Sequence, residues 1–242
     1  MPDDAQAAHP PRSAAPVASL EDPRVLEILS SEFSSLLSTR TLAYNEAFTR
    51  GEMFLSFVSM SFVALALLAQ ALPLDGGFLL VTAVVLAFDL VVGLTTYGRI
   101  IRTSYEDYRA VQGMSRIRHG YAEIAPVVLP YLTTGIHDDL AGVMASYWSP
   151  PTRGVGAIGY QLTTSGTMIG LIVSLIGGVL ALVFTLLVGG SLPVAFVVGA
   201  VAALGLFVAL AVATIRFYLN VQSAIPVMFP TPKDGGRDPS PR

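Results

Sequence analysis

An acidic residue in the middle of an apolar run is the first feature whose type points to chemistry. Asp89 stands about eleven residues into the otherwise uncharged stretch at 78–98, a depth where a carboxylate costs roughly 2.5 to 3.5 kcal/mol on membrane-insertion scales. No Lys or Arg shares that run, and the polar groups at matching depth in neighbouring runs are Ser59, Ser61 and Ser174. Two readings follow. One is a protonated carboxyl hydrogen-bonded to serine, serving packing; the other is an ion or proton site made of Asp89, Ser59, Ser61 and Ser174.

The remaining polar candidates are weaker. His137, Asp138 and Asp139 are the only cluster resembling metal ligands. Neighbouring helical positions diverge, however, whereas a metal site needs three or four converging groups. An N-cap made of Asp138 or Asp139 accounts for the pair without a metal. His119 beside Arg116 and Arg118 suits a basic surface facing anionic lipid headgroups. Gly154, Gly156 and Gly159 have the G-x-G-x-x-G spacing, but no strand precedes them, so they read as a flexible link. His9 reads as a solvated side chain in a polar tail. No catalytic, cofactor-binding or metal-ligating set converges.

The elements that position these residues follow from the hydropathy pattern. Of the 242 residues 53% are hydrophobic and 13% charged, with a mean hydropathy of +0.64, a profile rare in soluble domains. Runs at 53–72, 78–98, 168–188 and 193–214 each hold about twenty residues, enough for a helix to cross a ~30 Å hydrocarbon core. The joints Pro73-Leu74-Asp75-Gly76-Gly77 and Gly189-Gly190-Ser191-Leu192 are tight turns. The fold class is therefore all-α, an integral membrane protein with four transmembrane helices in two hairpins, at 53–98 and 168–214, and long cytoplasmic helical extensions.

All 14 basic residues lie before, between or after the hairpins, and none lies in either turn. The positive-inside rule then places the turns outside and both termini in the cytoplasm of a multi-pass protein of the plasma membrane. No secretory signal peptide is visible at 1–23, where an apolar core is lacking. The absence of Cys excludes disulfides and thiolate metal sites, and the net charge of -3 gives no case for nucleic acid.

Residues 1–22 and 215–242 read as tails, rich in Pro from 226 onward. The cytoplasmic helix at 23–52 carries Leu26, Leu29, Phe33, Leu36, Ala43 and Ala47 on one stripe with a gap at Arg40. Asp22 suits its N-cap and Pro23 its first turn. The helix runs without a breaker other than Gly51 into the first span, and the second span likewise continues into the segment at 99–167. Positions equidistant from Asp75 should then face each other, with Leu29, Phe33 and Leu36 against Tyr108, Val111 and beyond, and Glu46 in reach of Arg102. That pair reads either as a solvated ion pair or as a polar cluster fixing the register. A short amphipathic piece at 138–148 could bury Tyr147 and Trp148 against these helices or anchor them at the headgroups.

The strings Gly113-Met114-Ser115-Arg116-Ile117-Arg118-His119-Gly120-Tyr121, Glu123-Ile124-Ala125-Pro126 and Leu162-Thr163-Thr164-Ser165-Gly166-Thr167 resemble a family of bacterial membrane proteins with two hairpins around a cytoplasmic segment. The resemblance covers roughly residues 42–219; where the pattern more usually has Pro, this chain has Ser165. It implies topology and no activity or cofactor. The expected role is a non-enzymatic scaffold or regulatory subunit, with the bilayer and anionic inner-leaflet lipids as partners; the small-residue rows of Gly170, Ser174 and Gly178 and of Gly199 and Ala203, the second ended by Phe207, suit a homo-oligomer as well as internal packing. The alternative is a small ion or proton channel or transporter subunit using Asp89.

Overall fold

The computed structural model describes residues 20, 22–147, 165–222 and 226–232. Trp148 and the glycines at 154, 156 and 159 lie outside the described residues, as does His9. Helix α1 (Pro23–Ala71) and helix α2 (Gly76–Ile124) each hold 49 residues, about 74 Å at 1.5 Å per residue. Their ends follow from capping chemistry. Asp22 accepts the Arg24 N–H at 2.9 Å with Pro23 in the first turn, and Asp75 accepts Gly77 N–H at 2.9 Å and Phe78 N–H at 3.2 Å. Pro73 and Pro126 follow the C-termini, where a missing N–H and a fixed φ stop a helix.

After α2 come a 3-10 turn (Pro126–Tyr131) and the short helix α3 (Leu140–Ser146). Helices α4 (Ser165–Leu187) and α5 (Leu192–Gln222) complete the chain, and no strand occurs among the described residues. The turn between them is a Schellman cap: Gly189 N–H donates to Leu186 O at 3.0 Å and Gly190 N–H to Thr185 O at 2.9 Å. Gly189 has φ +84°, a left-handed conformation that costs glycine nothing.

Helix α2 is the central element, with α1 on one side and α4 on the other, while α5 packs on α4. Phe54 and Val58 of α1, Leu86, Tyr97 and Ile100 of α2, and Ile169, Val173 and Ile176 of α4 form the core. The three helices converge at Gly93, where a Cβ would lie 2.7 Å from Val173 and 2.9 Å from Phe54. The small-residue rows both work within the chain. Gly170 admits the Tyr97 ring, and Gly178 sits against Gly199 O and Ala203 of α5. Outward faces such as Met60, Leu67, Val84, Phe184, Phe196 and Leu204 are apolar and exposed, and four helices are long and apolar enough to cross a membrane.

Beyond the apolar segments, α1, α2 and the end of α5 continue into a polar head. The predicted rod from 23 through the first span is one unbroken helix and its register is close to that expected about Asp75, but Tyr108 and Val111, expected against Leu29, Phe33 and Leu36, pack on Val143 and Tyr147 instead. Leu36 lies under Gly113, Leu29 under Gly120, and the Arg118 guanidinium 5.3 Å above the Phe33 ring. Two boundaries differ from expectation. Leu26 is exposed and Val25 takes its place on the stripe, because Val25 stands one turn before Leu29. The tail expected from 215 is helical to Gln222, where Phe217 meets the Tyr105 ring edge-on at 5.8 Å.

Gly178→Leu should lower the thermal unfolding midpoint in detergent by the equivalent of about 1–3 kcal/mol, since the added side chain meets backbone of α5. Gly205→Leu, with nothing within 4 Å of its Cβ, is the matched control. Equal midpoints for the two would refute this α4–α5 crossing.

Candidate functional site

Inside the apolar layer, Asp89 is fully buried between α1 and α2. Ser61 Oγ donates to its Oδ1 at 3.0 Å, while Oδ2 meets no partner among the described residues. Ser61 and Asp89 each stand fourteen residues from Asp75, so the hairpin register brings them level. The other two serines do not join. Ser59, two residues and about 200° away around α1, is exposed and donates to Leu55 O at 2.8 Å. Ser174 is buried, but its hydroxyl turns to Gly170 O of its own helix at 2.7 Å. The predicted four-residue site is therefore a two-residue one.

The head holds the larger polar assembly, built from three carboxylate–arginine pairs. The one nearest the apolar segments is Glu46, which accepts from Arg99 at 2.9 Å and from Arg50 at 3.0 Å. The expected partner, Arg102, does not reach it. Arg102 sits about 140° around α2 from Asp107, the residue that faces α1, and is exposed. With both partners about two-fifths exposed, the Glu46–Arg99 pair is screened by solvent and adds little to stability.

The second centre is Asp107, buried on the seam of α2. Arg40 Nε donates to its Oδ1, and Tyr44 and Tyr147 hydroxyls donate to its Oδ2 at 3.0 and 2.6 Å. The Arg40 guanidinium also lies 5.7 and 5.5 Å from the centroids of those two rings. Burial, reinforced by the carboxylate, pushes the Tyr147 hydroxyl well above the usual tyrosine range, which keeps it a donor. Asp107 thereby ties α1, α2 and the end of α3 together, with Tyr108, Val111 and Val143 as a small core beneath. The gap at Arg40 in the apolar stripe was its sequence signal: a charge on a seam needs an opposite charge across it.

The third centre uses the residues considered as metal ligands. Among the described residues no three such groups converge on a metal. Instead, Asp139 caps α3 through Gly142 N–H at 3.0 Å. The Asp138 carboxylate, fully buried, accepts from Arg116 Nε at 2.7 Å, Phe229 N–H at 2.7 Å and Met228 N–H at 2.9 Å. Its backbone accepts from Gln112 Nε2 at 2.8 Å and donates to Phe229 O at 3.2 Å. Asp139 also takes the hydroxyl of Thr231 at 2.7 Å and its N–H at 3.2 Å, and Arg116 Nη2 donates to Pro226 O at 2.6 Å. Phe229 stacks on His119 at 4.1 Å.

Residues 226–232, expected to be part of an unstructured tail, are thus bound to the head. Backbone groups supply most of those contacts, and no periodic pattern announces them. Arg116, Arg118 and His119 turn to Asp138, Phe33 and Phe229 rather than forming one outward basic surface. Comparison with family models, curated proteins and solved structures gave no match for this chain.

Burial raises the pKa of Asp138, but the N–H groups of Met228 and Phe229 and the Arg116 guanidinium outweigh it and hold the carboxyl below its ordinary value. A folded value below the unfolded one means that this stabilisation is complete above about pH 4 and is lost as pH falls through the lower, folded value. The Phe229 amide should therefore remain protected from hydrogen exchange at pH 4 and open only in stronger acid. In Arg116→Gln the opening should move to higher pH; an unchanged acid limb in that variant would contradict the assignment.

Proposed function

We propose that the chain is a non-enzymatic membrane scaffold or regulatory subunit, with its turns outside the cell, its head in the cytoplasm and the head rigidly joined to the spans. One observation carries the reading: α1 and α2 run unbroken from the apolar segment into a head where Glu46, Asp107 and Asp138 each join separate parts of the chain through an arginine. A displacement of the head is then transmitted along two helices to the spans, as a docking platform requires. Arg102, exposed just past the apolar run of α2, is suited to anionic headgroups of the inner leaflet. The distribution of Lys and Arg supports this orientation in a plasma membrane.

A second reading, a proton or cation path, is favoured by the unpartnered Oδ2 of Asp89. Flux through proteoliposomes separates the two. Under imposed proton, sodium or potassium gradients the wild-type protein should match empty liposomes, and Asp89→Asn, which leaves Ser61 an amide oxygen to bond, should fold and behave the same. A wild-type flux that Asp89→Asn abolishes would replace the scaffold reading with transport. For the orientation, reporters fused after Asp75 or Ser191 should be active outside the cell and reporters at either terminus inside. A cytoplasmic signal from the Asp75 fusion would overturn it.

A further inference from the structure

We propose that the face built by Gln112, Arg116, His119, Asp138 and Asp139 is a peptide-binding site. Residues 226–232 are its resident ligand in cis, and the site takes a second peptide of the same chemistry when that segment leaves. The proposal rests on the reading of the head as a docking platform and assigns the control of docking to the chain's own C-terminal region.

The contacts are those of a receptor with a linear ligand. Phe229 and Thr231 are half-buried while Val227, Met228, Pro230 and Pro232 are exposed, and the chain bends at Met228 and Phe229 so that two consecutive N–H groups face the one Asp138 carboxylate. Recognition runs through the backbone: the N–H groups of Met228, Phe229 and Thr231 go to the two carboxylates, and the carbonyls of Pro226 and Phe229 accept from Arg116 and from Asp138 N–H. With Pro at 226, 230 and 232, the segment offers N–H groups only at Val227, Met228, Phe229 and Thr231. Three of those four are used by the site. The prolines also fix φ at three of the seven positions, which lowers the entropy lost on docking.

The receptor side also has contacts of its own that do not involve the segment. Asp138 is held by Arg116 and by the Gln112 bond to its carbonyl, and Asp139 by its cap on α3. Departure of the segment removes the Met228 and Phe229 donors from the buried Asp138 carboxylate and uncovers the His119 ring. An incoming peptide must therefore present consecutive N–H donors, an aromatic ring for His119 and a hydroxyl or other donor at the Thr231 position. An acidic group at that position is rejected, because the Thr231 hydroxyl lies 2.7 Å from Asp139.

The chain has no cysteine, so the full-length protein can carry a clean pair of spin labels at Met228→Cys and Tyr131→Cys, both exposed. A single narrow distance is expected for the wild-type sequence. Because a short tether supplies an effective concentration of about millimolar, the unlabelled peptide of residues 226–232 should convert half of that population to a broad, longer distance only near millimolar concentration. The same peptide with Thr231→Glu should compete at least roughly tenfold less well. Thr231→Glu within the chain should broaden the distribution with no peptide added, and because it alters only the ligand segment, it leaves the receptor face intact. A narrow distance unchanged by both peptide and Thr231→Glu would make the segment a fixed part of the fold and overturn the proposal. So would a broad wild-type distance, or release by Thr231→Glu without competition by the peptide. A flux dependent on Asp89 would sink the platform reading without altering these distances, so the two failures are distinguishable.

Discussion

A carboxylate removed from water must be given donors or a counter-charge, and the arrangement of this chain follows from where α2 and its neighbours bury theirs. Asp89 and Asp107 lie on α2 itself, and Asp138 lies in the turn folded against it. Asp107 draws Arg40 and Tyr44 from α1 and Tyr147 from the end of α3. Asp138 draws Arg116 from α2 and backbone N–H groups from 228 and 229. Asp107 and Asp138 are each satisfied from at least two other places in the sequence, so each dictates where distant segments lie. Apolar burial alone would hold α1 against α2 but would not choose among nearby registers, because small and branched side chains recur along both helices; a buried charge pair makes a slipped register expensive.

The same argument separates Asp89 from the acids of the head. It has one hydroxyl donor from Ser61 and no arginine within the apolar run. Its oxygen without a partner is tolerable only if the group carries a proton or is visited by a ligand. The helices around it are tightly packed, with Gly93 one turn away leaving no room for a Cβ between Val173 and Phe54. Close packing fits a neutral carboxyl that locks two spans together, which is why rigidity of the head relative to the spans, rather than passage past Asp89, is the function proposed.

Much of the frame was legible in the sequence because it depends on local signals. Pro23, Pro73, Asp75 and Pro126 punctuate α1 and α2, and the central turn at Asp75 brings Ser61 level with Asp89. What was not legible depends on rotation and reach. Glu46 was paired by height with Arg102, yet Arg102 points away and the longer diagonal to Arg99 wins. Ser59 and Ser174 were at the right depth but satisfied their hydroxyls on their own helices. Arg40 was read as a break in an apolar stripe when it is the stripe's functional position. The contacts of 226–232 were invisible because main-chain groups make them, and main-chain groups are the same at every position.

The segment at 226–232 also shows why polar anchoring suits a ligand better than a core would. Of its side chains only those of Phe229 and Thr231 are even half-buried, so the apolar area it removes from water is small and gives little of the roughly 25 cal/mol per Å² that holds a core. Its attachment instead rests on hydrogen bonds whose net contribution is about 1 kcal/mol each, somewhat more where the acceptor is charged. Several such bonds, made to carboxylates held by Arg116 and by the α3 cap, give a docked state that is well defined in geometry and dominant, yet only a few kcal/mol below the undocked one. A segment held by an apolar core would be the reverse, with less directional contacts and a higher cost of release. Directional recognition with modest net stability is the physical condition for a contact that can be exchanged.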